Sequence, residues 1–384
     1  MKTSYLRFLF AFILLSCSRT AEQEQEIFHI DLNKNYPEFS LSLSDIADIR
    51  FIKLGGEEQG VFYDEPSHLI YFDELNHKIF AGPGYGPVMM FEEDGTFIRK
   101  FGNYGRGPGE YLLWEFFVRP EKQIIGIASR HERKVMLFDY DGNLIPDSER
   151  TVAYRLNTSG LRLFHDAVFT FDPGSRIRFE SAAGNKDQMS SEKTLRKIDP
   201  ETFEEDTFFS DICYASPLVV PLSWETHPEY RWIRGVLIEG ASGLLASTFR
   251  SDTTYLIDHD LQIRPFLVNT SHNSGDHLVY PTVETHKYLL CHAKVYGESS
   301  YYVIEKSSKK IFKVTDDTEL PQCIKRKVRF SDFSLSLNPL YCIYPYHASS
   351  LKKYYDLLPE ELKTIVDQCD DESNPILMVI KFKE

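Results

Sequence analysis

Three features of the sequence predict an all-β fold, a six-bladed β-propeller with a short C-terminal helical segment before the closing strand. The chain carries 28 Phe, 22 Tyr and 3 Trp, punctuated by 21 Gly and 19 Pro, a mixture suited to half-buried strands between turns. A hairpin-like unit recurs, with Phe91, Phe138, Ile198, Ile257 and Ile304 at the equivalent position and steps of 47, 60, 59 and 47 residues. Each end of the chain also holds an apolar strand that no complete unit claims. A period of roughly 50 residues with about four strands in each is what a blade requires, because one blade cannot bury both its faces alone.

The chain opens with an export signal. Lys2 and Arg7 precede or flank the apolar residues 8–15, a run well short of the ~20 residues that a membrane-spanning helix needs. Leu14-Leu15-Ser16-Cys17 resembles a bacterial lipobox, which implies that Cys17 is lipidated and becomes the mature N-terminus. Acyl chains contribute about 0.8 kcal/mol per buried methylene, so two or more on Cys17 would hold a soluble domain at a bilayer. Loss of residues 1–16 removes Lys2 and Arg7 and takes the formal charge from −14 to −16. Residues 17–26 are polar with nothing to bury and read as a tether, leaving 27–384 for the propeller. Acidic residues after the cysteine are similar to a surface-export signal of some Gram-negative gut bacteria, which places the expected location at the outer membrane and its surface. With 57 Asp plus Glu against 43 Lys plus Arg, the chain offers no field to attract nucleic acid.

The repeat is clearest at residues 89–98 and 136–145, each an apolar strand, an acidic turn with Asp-Gly, and a second strand. Looser copies lie at 195–203, 255–261 and 302–309, and further apolar strands precede hairpins at 123–128, 244–249 and 288–292. Five hairpins account for five blades. Residues 48–54 and 374–382 can share the sixth and close the ring, which removes the open edges that template aggregation. A pair of β-sandwiches is the rival, and the single period disfavours it. Residues 350–357 and 358–369 read as helix on one rim: Pro359 suits a first helical position, Glu360 and Glu361 the positive helix start, and Leu358, Leu362, Ile365, Val366 and Cys369 one buried stripe.

The run Phe97-Ile98-Arg99-Lys100-Phe101-Gly102-Asn103-Tyr104-Gly105-Arg106-Gly107-Pro108-Gly109-Glu110-Tyr111 resembles an NHL-type propeller repeat. With the lipobox, Ser44-Asp45 before the strand reaching Leu54, and the ending Glu372-Ser373-Asn374-Pro375-Ile376-Leu377-Met378, the chain is similar to the six-bladed β-propeller lipoproteins of Gram-negative gut bacteria. The resemblance implies fold and location and carries over no catalytic residue.

No motif names a reaction or a cofactor. Gly105-Arg106-Gly107-Pro108-Gly109-Glu110 is a loop of the kind that can offer amides to an anion, but it lacks the Lys-Ser/Thr of a phosphate loop and reads as a sharp turn between blades. Arg106 and Glu110 remain ligand candidates. Asp139-Tyr140-Asp141-Gly142-Asn143 starts like a calcium loop, but the ligand spacing is wrong and a hairpin turn is favoured. His272, His277, His286 and His292 cluster in sequence near Asp276 and Cys291, without metal-site spacing, and are expected to be scattered. Trp224, His227, Tyr230, Arg231 and Trp232 form an aromatic and cationic group; Trp224, Tyr230, Arg231 and Trp232 are the preferred ligand contacts, since aromatic faces stack on sugars and Arg supplies planar donors. Cys213, Cys291, Cys323, Cys342 and Cys369 form no framework and are expected to be mostly buried. The expected function is a lipid-anchored binding module for a glycan, peptide or surface protein; the alternative is a propeller enzyme acting on extracellular glycans or peptides.

Overall fold

The computed structural model describes residues 27–40, 43–56, 70–82, 86–112, 115–129, 132–152, 161–171, 195–209, 235–248, 252–271, 277–295, 298–315, 338–370 and 372–383. The described chain begins with β1 (Phe28–Ile30), β2 (Glu38–Ser40), one helical turn α1 (Leu43–Ile46) and β3 (Ala47–Lys53). Blade I is β4 (Ile70–Asp73), β5 (Lys78–Ala81), β6 (Val88–Glu92) and β7 (Phe97–Phe101). A short parallel pair, β8 (Asn103–Tyr104) with β9 (Glu110–Tyr111), leads to blade II: β10 (Glu115–Arg119), β11 (Ile124–Ser129), β12 (Lys134–Asp139) and β13 (Arg150–Thr151). Blade III is β14 (Arg162–Phe164), β15 (Ala167–Phe171), β16 (Leu195–Ile198) and β17 (Glu205–Phe209). Blade IV is β18 (Gly235–Gly240), β19 (Gly243–Thr248), β20 (Thr253–Ile257) and β21 (Ile263–Asn269). Blade V is β22 (His277–Glu284), β23 (Tyr288–Val295), β24 (Glu298–Glu305) and β25 (Lys310–Thr315). Blade VI contains β26 (Tyr341–Tyr346) and β27 (Ile376–Phe382), with α2 (Ala348–Lys352) and α3 (Glu360–Val366) between them.

The ring closes through both ends of the chain. β3 pairs antiparallel with β27, from Lys53 opposite Ile376 to Ala47 opposite Phe382, so an N-terminal strand completes the C-terminal sheet. Packing confirms the closure. Six apolar clusters fill the junctions between blades, one at each. The alternation of β27 shows how one strand serves two of them: Ile376, Met378 and Ile380 face blade V, whereas Leu377 and Val379 face blade I. Each fully buried side chain of this size contributes roughly 1.5–3 kcal/mol, so the strand's period of two is itself a closing force.

The Asp-Gly turn of blade I shows why the repeat needs its glycine. Gly95 adopts φ +90°, and a Cβ there would lie 2.0 Å from the Lys53 carbonyl oxygen of blade VI. The turn thus reverses the chain and seats against its neighbour. In blade II the corresponding return strand is interrupted, with one bridge, Phe138 with Leu144, before β13 pairs with the start of β12. Pro146 follows, and the Leu137 amide donates to the Ser148 hydroxyl at 3.2 Å, where a strand carbonyl would otherwise accept.

The N-terminal segment adds a feature that the period did not foresee. β1 lies parallel to β21 and β2 parallel to β25, as fifth strands on blades IV and V. This strap is fixed by the Ser271 hydroxyl on the Leu32 amide at 3.1 Å and by Tyr36 packed edge-on to Tyr302. The helical segment between β26 and β27 packs Leu351, Leu358, Leu362, Val366 and Cys369 into the cluster between blades V and VI, with Ile365 only partly buried. Pro359 stands one position before the helix, at its cap.

Candidate functional site

The opening strands of the blades surround the axis: β10 touches β14, β14 touches β18, and β18 touches β22. A strand at that position has one edge toward the axis, so polar side chains near its ends are the natural lining of the central site. Arg162, at the start of β14, is buried; it donates through Nε to the Leu237 carbonyl of blade IV at 3.1 Å and through Nη1 to the Leu161 carbonyl at 3.1 Å. Glu115, at the start of β10, accepts the Leu161 amide of blade III at 2.6 Å. Burial works against the guanidinium charge of Arg162, and the carboxylates of Glu115 and Glu239 offset part of that cost.

Toward the far ends of these strands lies an acidic and phenolic group drawn from blades on opposite sides of the ring. Glu239 of β18 is only partly exposed, and burial pushes its carboxyl up to about 7, with Glu121 of blade II adding and Arg162 opposing. Tyr71 of β4 is raised well above the ordinary phenol range, first by burial and then by the charges of Asp73, Glu239, Glu121 and Glu74. Blades I, II and IV therefore bring Tyr71, Glu121 and Glu239 within electrostatic reach of one another. Asp73 is committed elsewhere: it is buried and accepts the Tyr140 hydroxyl at 2.5 Å and the Asn76 side-chain amide at 2.8 Å. Such a group can accept hydroxyl or amine hydrogens from a ligand, offer a phenol ring, and exchange a proton near neutrality through Glu239.

The residues singled out in the sequence are distributed differently. In the glycine-rich loop the amides already have acceptors: Gly105 on the Tyr111 carbonyl at 3.1 Å, Gly107 on Glu110 Oε2 at 2.8 Å, and Gly109 on Glu149 Oε2 at 2.8 Å. Arg106 pairs with Glu132 at 3.4 Å. Asp139 caps its own turn, accepting the Asn143 amide at 2.8 Å and the Asn143 side chain at 3.0 Å. Cys17, Trp224, His227, Tyr230, Arg231 and Trp232 lie outside the described residues, as do His272, Asp276, Cys213 and Cys323.

The other histidines are separated by the fold. His277 is buried at the start of β22 and His286 is exposed beyond its far end, so a strand of about 25 Å stands between them. His292 is buried on β23, hydrogen-bonded to the Tyr280 hydroxyl and stacked on Tyr301 at 5.0 Å. Burial, and then Lys294, lowers its pKa to about 4. Cys291, Cys342 and Cys369 are buried thiols, and burial raises that of Cys291 far above the thiol range. Among the described residues no group of three or more His, Cys, Asp or Glu is placed to hold a metal ion. Sequence reasoning missed Tyr71, Glu121, Glu239 and Arg162, because no linear motif joins residues that meet only across a closed ring.

Comparison with solved structures finds chains of similar fold. A crystal structure of a protein of Bacteroides fragilis classed as exported matches with 18% identity and a TM-score of 0.58, covering 94% of this chain and 100% of that one. A member of the DUF4221 family from Bacteroides vulgatus matches with 12% identity and a TM-score of 0.45, covering 88% and 98%. An inactive variant of virginiamycin B lyase from Staphylococcus aureus, crystallised with quinupristin, matches with 11% identity and a TM-score of 0.37, covering 71% and 75%. At 18% identity the likeness to the Bacteroides fragilis protein speaks to fold alone. No curated protein matches. The family model of DUF4934, a domain of unknown function, matches residues 27–381, and the chain belongs to that family.

Proposed function

We propose that this protein is a cell-envelope binding module, held at the outer membrane by lipid on Cys17 and using the axial mouth of its propeller to seat a glycan, a peptide or a segment of a surface protein. The observation that carries the reading is that Tyr71, Glu121 and Glu239, from three blades, lie within electrostatic reach of one another. A rigid ring presenting a few polar groups from separate blades is a preorganised site, because little side-chain freedom is left to lose on binding. The anchor rests on the lipobox at Leu14-Leu15-Ser16-Cys17 and on the NHL-like and lipoprotein-like features of the sequence. Among the described residues no helix is long and apolar enough to cross a membrane.

A second reading, an enzyme acting on extracellular glycans or peptides, is favoured by one feature. A carboxyl held at about 7 can give and take a proton at neutral pH, as a general acid or base must. A thermal-shift screen of the chain against glycans and peptides tests the first reading. A ligand at 100 times its Kd stabilises by about 2.7 kcal/mol. The shift should vanish in Tyr71→Ala and Glu239→Gln and survive changes at Trp224, Trp232, Arg106 and Glu110. The reverse pattern moves the site to those residues, and turnover of a bound ligand that is lost in Glu239→Gln supports the enzyme.

A further inference from the structure

Between blades VI and I, I and II, II and III, and IV and V, the turn after the third strand of a blade ties it to the preceding blade. Glu93 of blade I pairs with Arg50 of blade VI at 2.6 Å. Tyr140 of blade II bonds Asp73 of blade I at 2.5 Å. Glu201 of blade III pairs with Arg119 of blade II at 3.0 Å. Lys306 of blade V pairs with Glu284 and donates to the Ser242 hydroxyl of blade IV at 3.1 Å. Between blades III and IV the tie is of another kind: His259 Nδ1 lies 2.9 Å from His165 Nε2. The two imidazoles meet edge to face at 5.1 Å, and the Phe164 ring backs both, at 4.5 Å from His165 and 5.7 Å from His259. Both histidines are exposed to solvent, and His165 holds φ 52° in the tight turn between β14 and β15.

A hydrogen bond between two imidazoles needs one N–H and one lone pair. A neutral pair has both, and so does a pair carrying one added proton. A pair carrying two added protons has no lone pair left between the rings: an N–H faces an N–H and two positive charges stand in contact. The tyrosine–aspartate, arginine–glutamate and lysine–glutamate ties keep their donors and acceptors through the range where histidine ordinarily titrates. His77, beside Glu93 at 2.8 Å, only gains attraction when protonated. The charged groups around the pair are Asp166 on the first turn and Asp258 and Asp260 on the second, with Arg119 and Glu201 beyond Asp166.

We propose that the His165–His259 bond is an acid-opened latch, which releases the junction between blades III and IV, the wall that carries Arg162 and Glu239, when both rings take up a proton. The device is independent of what the axial mouth binds. Amide hydrogen exchange on the full propeller tests it, read at the turn 258–262 and, as control, at the turn 139–143 of blade II. Between about pH 7.5 and pH 5, after correction for intrinsic rates, protection at 258–262 should fall at least about fivefold, the scale of one lost hydrogen bond. Protection at 139–143 should hold. His259→Asn, which keeps a polar side chain but cannot titrate, should abolish the fall. Unchanged protection in the wild type, or the same fall in His259→Asn, overturns the latch. Should His259→Asn fold poorly, NMR titration of labelled histidine decides: the two rings titrate in two separated steps in the wild type, and His259 in a single step in His165→Asn. A single common step for both wild-type rings overturns the proposal.

Discussion

Replacing Glu284 should unseat blade V from blade IV, at a cost that the geometry sets at about 2–3 kcal/mol. The carboxylate closes β22, is wholly buried, and accepts the Ser242 amide at 2.8 Å and the Ser242 hydroxyl at 2.7 Å while pairing with Lys306. Removing one partner of a buried ion pair usually costs roughly 3–5 kcal/mol, because the other charge is left without compensation. Here the Lys306 side chain is 16% exposed and keeps the Thr285 carbonyl at 3.0 Å, so the lower value applies to Glu284→Ala. Glu284→Gln retains an acceptor for the Ser242 amide but gives up the charge and turns an amide NH2 toward Lys306, so it should cost less than the alanine variant, roughly 1–2 kcal/mol. Urea denaturation followed by far-ultraviolet circular dichroism measures both variants, with an unchanged slope showing that the folded state is otherwise intact. An alanine variant within about 0.5 kcal/mol of the wild type, or one more stable than the glutamine variant, would refute the reasoning.

Three further outcomes follow from the same physical terms. Gly95→Ala should destabilise by more than about 2 kcal/mol, because strain at positive φ adds to a backbone collision, whereas Gly142→Ala, whose Cβ meets nothing nearer than 3.4 Å, should cost only about 1; equal losses in thermal melts would contradict this. Glu239 binds its proton more tightly folded than unfolded, so its contribution to stability is present below its ordinary value of 4.5 and lost as pH rises through about 7. Glu239→Gln should accordingly match the wild type near pH 5 and exceed it by about 1–2 kcal/mol near pH 8, allowing for its partial exposure; a pH-independent difference would count against the axial electrostatics. His292 resists protonation in the fold, so wild-type stability should fall as pH drops from 6.5 toward 4, and His292→Phe should flatten that slope; parallel curves for the two proteins would exclude His292 as the source.

The architecture was legible because its signals are local. Asp94-Gly95 and Asp141-Gly142 mark hairpins by turn chemistry, and the unbroken apolar run of residues 376–380 marks a strand buried on both faces. The union of β3 with β27 could be read from two apolar strands that no complete unit claimed. The strap could not, since Phe28–Ile30 and Glu38–Ser40 are three residues each and gain their order from the edges of β21 and β25 rather than from their own pattern. The second strand expected after Asp141-Gly142 is interrupted beyond Ile145, where Pro146 and the Ser148 side chain break the ladder before β13. The axial group was hidden for a different reason. Tyr71 and Glu239 are common residue types on separate blades, and only closure of the ring gives them a shared field.

The central claim, that ligand is seated at the axial mouth, is tested most directly by a hydrogen-exchange footprint of the first ligand that stabilises the protein. Protection should appear together at β4, at the turn 120–123 and at the end of β18, three segments far apart in sequence that share only the axis. Protection confined to the loop 102–111 or to residues 210–234, with those three segments unchanged, would contradict the account and place recognition elsewhere.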